Sequence, residues 1–143
     1  GSGTSNVVFG QSSTGDALTD GSHNAFFGSN NAGGATTTGS YNVGLGGSAI
    51  EQNISGNYNV GIGYNAGQGN TGESYNITVG SSSGYMNGGS SNIAIGYNAV
   101  DGYGNSRCVD ECVIFDCANS AGCGSDVHIV GISNQVRWSL DKI

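Results

Sequence analysis

Proline is absent from this chain of 143 residues, and Lys and Arg together number three. Ten acidic residues leave a net charge of −7. Nucleic acid and anionic membrane surfaces are therefore excluded as partners, because both need clustered Lys and Arg. No apolar run approaches the ~20 residues of a membrane span, so no membrane insertion is expected. Charged residues make up only 9%. That scarcity, with Val, Ile and Phe at regular intervals, argues against disorder. The missing proline, and the lack of a three-residue glycine period, exclude a collagen helix. What is abundant is glycine, 28 residues, far above the usual ~7%. The length suits one domain with room for a second, small one. Gly1-Ser2 reads as the scar of a removed tag, residues 1–5 as tag or linker, and the chain as an excised piece.

So biased a composition calls for a search for repeats. A unit Asn-Φ-x-Φ-Gly, with Φ a large apolar residue, or Ala at Ala25, occurs six times. It starts at Asn6, Asn24, Asn42, Asn59, Asn76 and Asn92 and closes at Gly10, Gly28, Gly46, Gly63, Gly80 and Gly96. Successive starts lie 18, 18, 17, 17 and 16 residues apart. Tyr precedes the Asn at Tyr41, Tyr58 and Tyr75, and His23 occupies the same slot. A small residue follows seven positions after the Asn, at Ser13, Ala49, Ala66, Ser83 and Ala99.

The alternation predicts a short strand in each unit, and one strand per ~17 residues fits one coil of a β-solenoid. The rest of each coil is expected to hold a turn, a second short polar strand and a return turn. Glycine closes the strand where a corner needs close backbone approach, while Asn suits hydrogen-bonded ladders between coils. The two Φ positions and the small residue are expected to fill a thin interior. The middle position (Val8, Phe26, Gly44, Gly61, Thr78, Ala94) is then left on the second face. It is never charged, which suggests that another copy of the chain covers it. Six coils at ~4.8 Å would give a rod of roughly 30 Å, thin enough to gain from assembly with identical rods.

Asn59-Val60-Gly61-Ile62-Gly63-Tyr64-Asn65-Ala66-Gly67 and Asn92-Ile93-Ala94-Ile95-Gly96-Tyr97-Asn98-Ala99 resemble the head repeats of trimeric autotransporter adhesins. They are equally similar to repeats of phage tail fibres and related bacterial trimeric fibres. The resemblance covers about residues 5–106. It implies an all-β fold of parallel β-roll or β-solenoid repeats, assembled as a parallel homotrimer, with residues 6–106 as shaft or head. It places residues 107–143 as a cap or tip. In location it implies the cell surface, the extracellular space, the periplasm or a virion surface.

Beyond Ser106 the composition changes. Arg107, Arg137 and Lys142, all four Cys and Trp138 lie there. Strands are expected over 112–115, 127–131 and 136–140. Val127 and Ile129 followed by Gly131 echo the repeat and suggest a degenerate seventh coil. Catalysis has little to work with. His23 is a repeat-position residue, His128 lies in a strand, and the carboxylates are scattered through turns, so no enzyme and no cofactor are expected. Binding is the better reading. Aromatic faces stack on sugars and planar polar groups take paired hydrogen bonds. Trp138 with Arg137, Tyr103 and His128 is the cluster of that type. The expected function is an extracellular fibre tip, its partners being itself and a surface glycan or envelope component. The alternatives are a fibre shaft with no ligand of its own and an ice-binding solenoid, the latter suggested by Ala35-Thr36-Thr37-Thr38.

Cys108, Cys112, Cys117 and Cys123 remain. Structural zinc favours closely spaced pairs, and only Cys108-x₃-Cys112 qualifies. Disulfides suit a small, loop-rich, extracellular element. Three pairings exist within one chain; Cys108–Cys112 with Cys117–Cys123 is favoured, and pairing between chains stays open. Thiol titration of the native protein should therefore find no free thiol until a reductant is added. Four thiols before reduction would exclude the disulfides.

Overall fold

The computed structural model describes residues 1–85 and 89–99, together with the backbone of three later strands. Six short strands, β1 (Val7–Gly10), β2 (Ala25–Gly28), β3 (Val43–Leu45), β4 (Val60–Ile62), β5 (Ile77–Val79) and β6 (Ile93–Ile95), lie one per repeat. Each pairs in parallel with the next at the same place in the unit, so Val43 meets Val60 and Leu45 meets Ile62. The result is an all-β solenoid of about five turns, with no helix among the described residues. The second polar strand expected in each coil is absent among those residues. Turns fill that part of the coil, and isolated hydrogen bonds link them, such as Gly33 N to Ala49 O at 2.9 Å and Ile54 N to Thr71 O at 2.9 Å.

Asparagine joins coil to coil. The backbone N–H groups of Asn24, Asn42, Asn59, Asn76 and Asn92 donate to the side-chain oxygen of the Asn one coil earlier, at 2.9–3.0 Å. The side-chain amides of Asn24, Asn42, Asn59 and Asn76 in turn donate to a carbonyl of the following coil, at Gly39 O, Gly56 O, Glu73 O and Gly89 O, 2.8–2.9 Å away. Those five Asn are at most 2% exposed. A second ladder runs in the opposite sense, two residues before each Asn. Here the backbone N–H groups of Thr4, Ser22, Ser40, Asn57 and Ser74 donate to the side-chain oxygens of Ser22, Ser40, Asn57, Ser74 and Ser90.

Because Asn points inward, alternation sends the middle position of the strand inward with it. Phe26 is fully buried, Thr78 and Ala94 are 1% exposed, and Gly44 and Gly61 are buried. The assignment of faces expected from the sequence is thus reversed: from the second coil on, the middle positions fill the interior and the Φ positions look outward, while Val8 in the first coil is 42% exposed. The glycines make room for one large residue. A Cβ on Gly61 would stand 2.6 Å from Cγ2 of Ile50, and on Gly44 3.0 Å from its Cγ1, while Ile50 itself is 1% exposed. Phe26 occupies the corresponding space beside Gly15 and Gly33. The closing Gly63 has φ +128, and a Cβ there would lie 2.7 Å from the carbonyl of Gly80.

The small buried residue departs from expectation in the first coil, and the second coil, for which none was expected, has one as well. Thr14 and Ala32 take that place, eight positions after the Asn, and Ser13 is exposed. The extra residue is absorbed by two successive left-handed residues, Ser12-Ser13 and Asn30-Asn31. Later coils have one, at Ser48, Asn65, Ser82 or Asn98. This accounts for the step from 18 to 17 residues.

After β6, the strands β7 (Val113–Phe115), β8 (Val127–Ile132) and β9 (Gln135–Ser139) complete a single nine-stranded sheet. The seventh parallel rung is β7, paired Ile93 to Val113. The stretch at 127–131 is therefore not a seventh coil, since β8 runs antiparallel to β7 and β9 antiparallel to β8.

Asn59→Ala should cost about 2–4 kcal/mol, because it orphans both the Asn76 N–H and the Glu73 carbonyl. Gly61→Ala should cost about 1–3 kcal/mol through overlap with Ile50. Gly72→Ala, whose Cβ would meet only Ser55 Oγ at 3.3 Å, is the matched control, expected within about 0.5 kcal/mol of the parent in urea unfolding.

Candidate interaction surface

With Asn and the middle residue inside, each strand turns its two Φ side chains outward. They form two apolar columns along the sheet: Val7, Ala25, Val43, Val60, Ile77 and Ile93 in one, and Phe9, Phe27, Leu45, Ile62, Val79 and Ile95 in the other. Phe9 is 73% exposed, Phe27 42%, and Ile62, Ile77 and Ile95 between 36% and 38%. The others of β3 to β6 are half-buried. In the second column the Phe9 and Phe27 ring centroids lie 6.4 Å apart.

Aromatic rings form a third column, immediately before the Asn. His23, Tyr41, Tyr58 and Tyr75 stack in sequence with centroids 4.8, 4.8 and 5.1 Å apart and planes within 5° of parallel. All four have positive φ, between 58° and 63°. For bulky residues that backbone region carries a cost on the order of 1–3 kcal/mol. It persists because the chain is fixed on both sides of each ring. The ring residue's N–H donates to the preceding coil, as in Tyr58 N to Ser40 O at 3.0 Å, and the next residue is the ladder Asn. Stacking returns about 0.5–1.5 kcal/mol per pair. Ser5 and Ser91 hold the same slot in the first and sixth coils, also at positive φ.

Two further exposed rings, Tyr64 and Tyr97, lie in another column with Ser81 between them. Thr19, Thr37 and Thr71 share a column with Ile54, and the Thr19 and Thr37 hydroxyls donate to carbonyls of the next coil at 3.1 Å.

Chemically reactive groups are sparse. A shallow groove of about 420 Å³ is lined by Ser13, Asp16, Asn31, Gly34, Glu51 and Gln52, among others. The Glu51 carboxylate there accepts from Asn31 Nδ2 at 2.9 Å and from Gln68 Nε2. Among the described residues no three His, Cys, Asp or Glu side chains cluster as metal ligands. Asp20 is fully exposed. The Ser2 backbone N–H, and then its hydroxyl, donate to it at 2.8 and 3.0 Å and hold its carboxyl below the ordinary carboxylate range. That tie is complete at neutral pH and is lost as pH falls through the lowered value.

Tyr103 and the four Cys lie outside the described residues, as do the side chains of His128, Arg137 and Trp138. In the backbone register His128 pairs with Ser139, Ile129 with Trp138 and Val130 with Arg137. The sequence reading missed the outward Φ columns as a surface. The parity of the strand carried the signal: Asn and the middle residue are two apart, so an inward Asn ladder forces Φ outward. No protein-family model, no curated protein and no solved structure matches the chain.

Proposed function

We propose that this chain is a segment of a trimeric extracellular fibre. Its solenoid packs in parallel against identical copies through the outward Φ columns, and residues 107–143 form the tip that engages a surface glycan. One observation carries the assembly: the six strands of the repeats turn Val, Ile, Leu and Phe to one face, exposed or half-buried, that no described residue buries. Apolar side chains lined up in columns rather than scattered singly are the kind of surface that marks a contact with another molecule.

A copy of the same chain suits this face because the side chains recur at every strand step along it. No Lys or Arg occurs before Arg107, so the face carries no basic charge to resist self-association. The number three follows from the resemblance of the repeats to those of trimeric fibres. The glycan rests on Trp138, Arg137, Tyr103 and His128. A purely structural shaft is the second reading, favoured by the scarcity of reactive groups on the described coils.

Light scattering of the full chain should give the mass of three chains, and a monodisperse monomer would sink the assembly. Ile62→Lys with Ile77→Lys points charge outward without touching the interior. It should yield a folded monomer with the parent's circular dichroism. On a glycan array, a hit abolished by Trp138→Ala in an intact trimer supports the tip reading; no hit leaves the shaft. Thermal hysteresis of ice growth would instead point to an ice-binding solenoid.

A further inference from the structure

The aromatic column does more than the fold asks of it. Ser5 and Ser91 hold the same left-handed position in the flanking coils, so the slot needs no ring. Three consecutive coils nevertheless carry phenols there, stacked nearly parallel and exposed by 46–59%. Electron-rich rings in face contact share a positive hole formed in any one of them. Exposed hydroxyls let the accompanying proton leave to water.

We infer that Tyr41, Tyr58 and Tyr75 are a site of oxidative cross-linking, where a peroxide-driven one-electron oxidant joins neighbouring coils through a tyrosine–tyrosine bond. Two adjacent phenols each lose one electron to the oxidant and one proton to solvent. The two radicals combine through ring carbons ortho to the hydroxyls. Loss of the two displaced ring hydrogens as protons to solvent, while the carbonyl oxygens regain protons, restores both phenols. One hydrogen peroxide accepts the two electrons and two protons and leaves as two waters. The fold supplies proximity: both rings are held one coil apart before oxidation, which favours coupling within the chain over coupling between molecules. The new bond would close a 17-residue loop, Tyr41 to Tyr58 or Tyr58 to Tyr75, as a disulfide would.

Tyr64 and Tyr97 are the internal control. They are 57% and 59% exposed, as accessible as the ladder, but Ser81 separates them. The full chain is treated with a haem peroxidase and limiting hydrogen peroxide, denatured, and cleaved after glutamate. Glu51 and Glu73 place Tyr41, Tyr58 and Tyr75 on three different peptides. Mass spectrometry should find neighbouring peptides joined with the loss of two hydrogens, on a chain that still migrates as a monomer in a denaturing gel, and fragmentation should place the bond at Tyr58 rather than Tyr64 and at Tyr75 rather than Tyr97, which share those peptides.

Tyr64→Ser should leave the yield unchanged. Tyr58→Ser separates the remaining rings by two coils and should lower it at least about tenfold, with the circular dichroism preserved because Ser already fits the slot. The proposal is overturned by the absence of cross-linked peptides or by cross-links at Tyr64 or Tyr97 as frequent as those of the ladder. Linkage chiefly between chains, or a yield that survives Tyr58→Ser, overturns it equally.

Discussion

The bond between one asparagine side chain and the backbone of the next coil sets almost everything else in this molecule. An amide group is one of the few side chains that can accept and donate at once. Here the Asn42 side chain, for example, accepts the Asn59 N–H and donates to the Gly56 carbonyl of that same coil. Buried hydrogen bonds of this kind contribute modestly when made and cost heavily when one partner is lost. Repeated on every coil, they fix the axial register to a single value. They also turn the Asn inward, and strand alternation then determines which side chains meet the interior and which meet solvent.

From that constraint comes an inverted distribution of polarity. Among the described residues the interior holds Asn, Thr, Ala, Gly and Ser around two large apolar side chains, Phe26 and Ile50, while the Val, Ile, Leu and Phe of the Φ positions face outward. A thin solenoid cannot gain much from apolar burial, because its cross-section has room for little more than small residues. Stacked backbone and amide hydrogen bonds supply its cohesion instead. The apolar side chains become available for contact with other molecules, so the chemistry that holds the coil and the chemistry that could join coils to partners lie on separate faces.

The period, the position of every strand of the repeat region, and the roles of the Asn and closing Gly were legible in the sequence, because each is a residue type recurring at fixed spacing. The equivalence of His23 with the tyrosines was legible for the same reason, and the structure stacks it on Tyr41. The inside and outside faces were not. Alternation defines two faces without naming them, and burial of apolar residues misleads when the inward polar group finds its partner 17 or 18 residues away. The small buried residue of the first coil was placed one position early, at Ser13 instead of Thr14, and that of the second, Ala32, was not assigned, because a pair of left-handed residues can take up an insertion that leaves the column intact. Val127–Ile132 looked like another coil by composition alone, whereas strand direction depends on the connecting segment and not on the strand's own residues.

Ile50 has a consequence for the ancestry of the array. It projects into space vacated by glycines on its own coil and on the next, Gly44 and Gly61, and approaches Gly67 as well. The sequence repeats once per coil, but the filling of the interior spans two. Tandem repeats grow and shrink readily when copying slips by one unit. In this chain a slip of one coil would set Ile50 beside a second Ile50, or leave paired glycines facing nothing. Length changes are thus restrained by the interior even though every surface feature would tolerate them, and the coils, alike in outline, are not interchangeable parts.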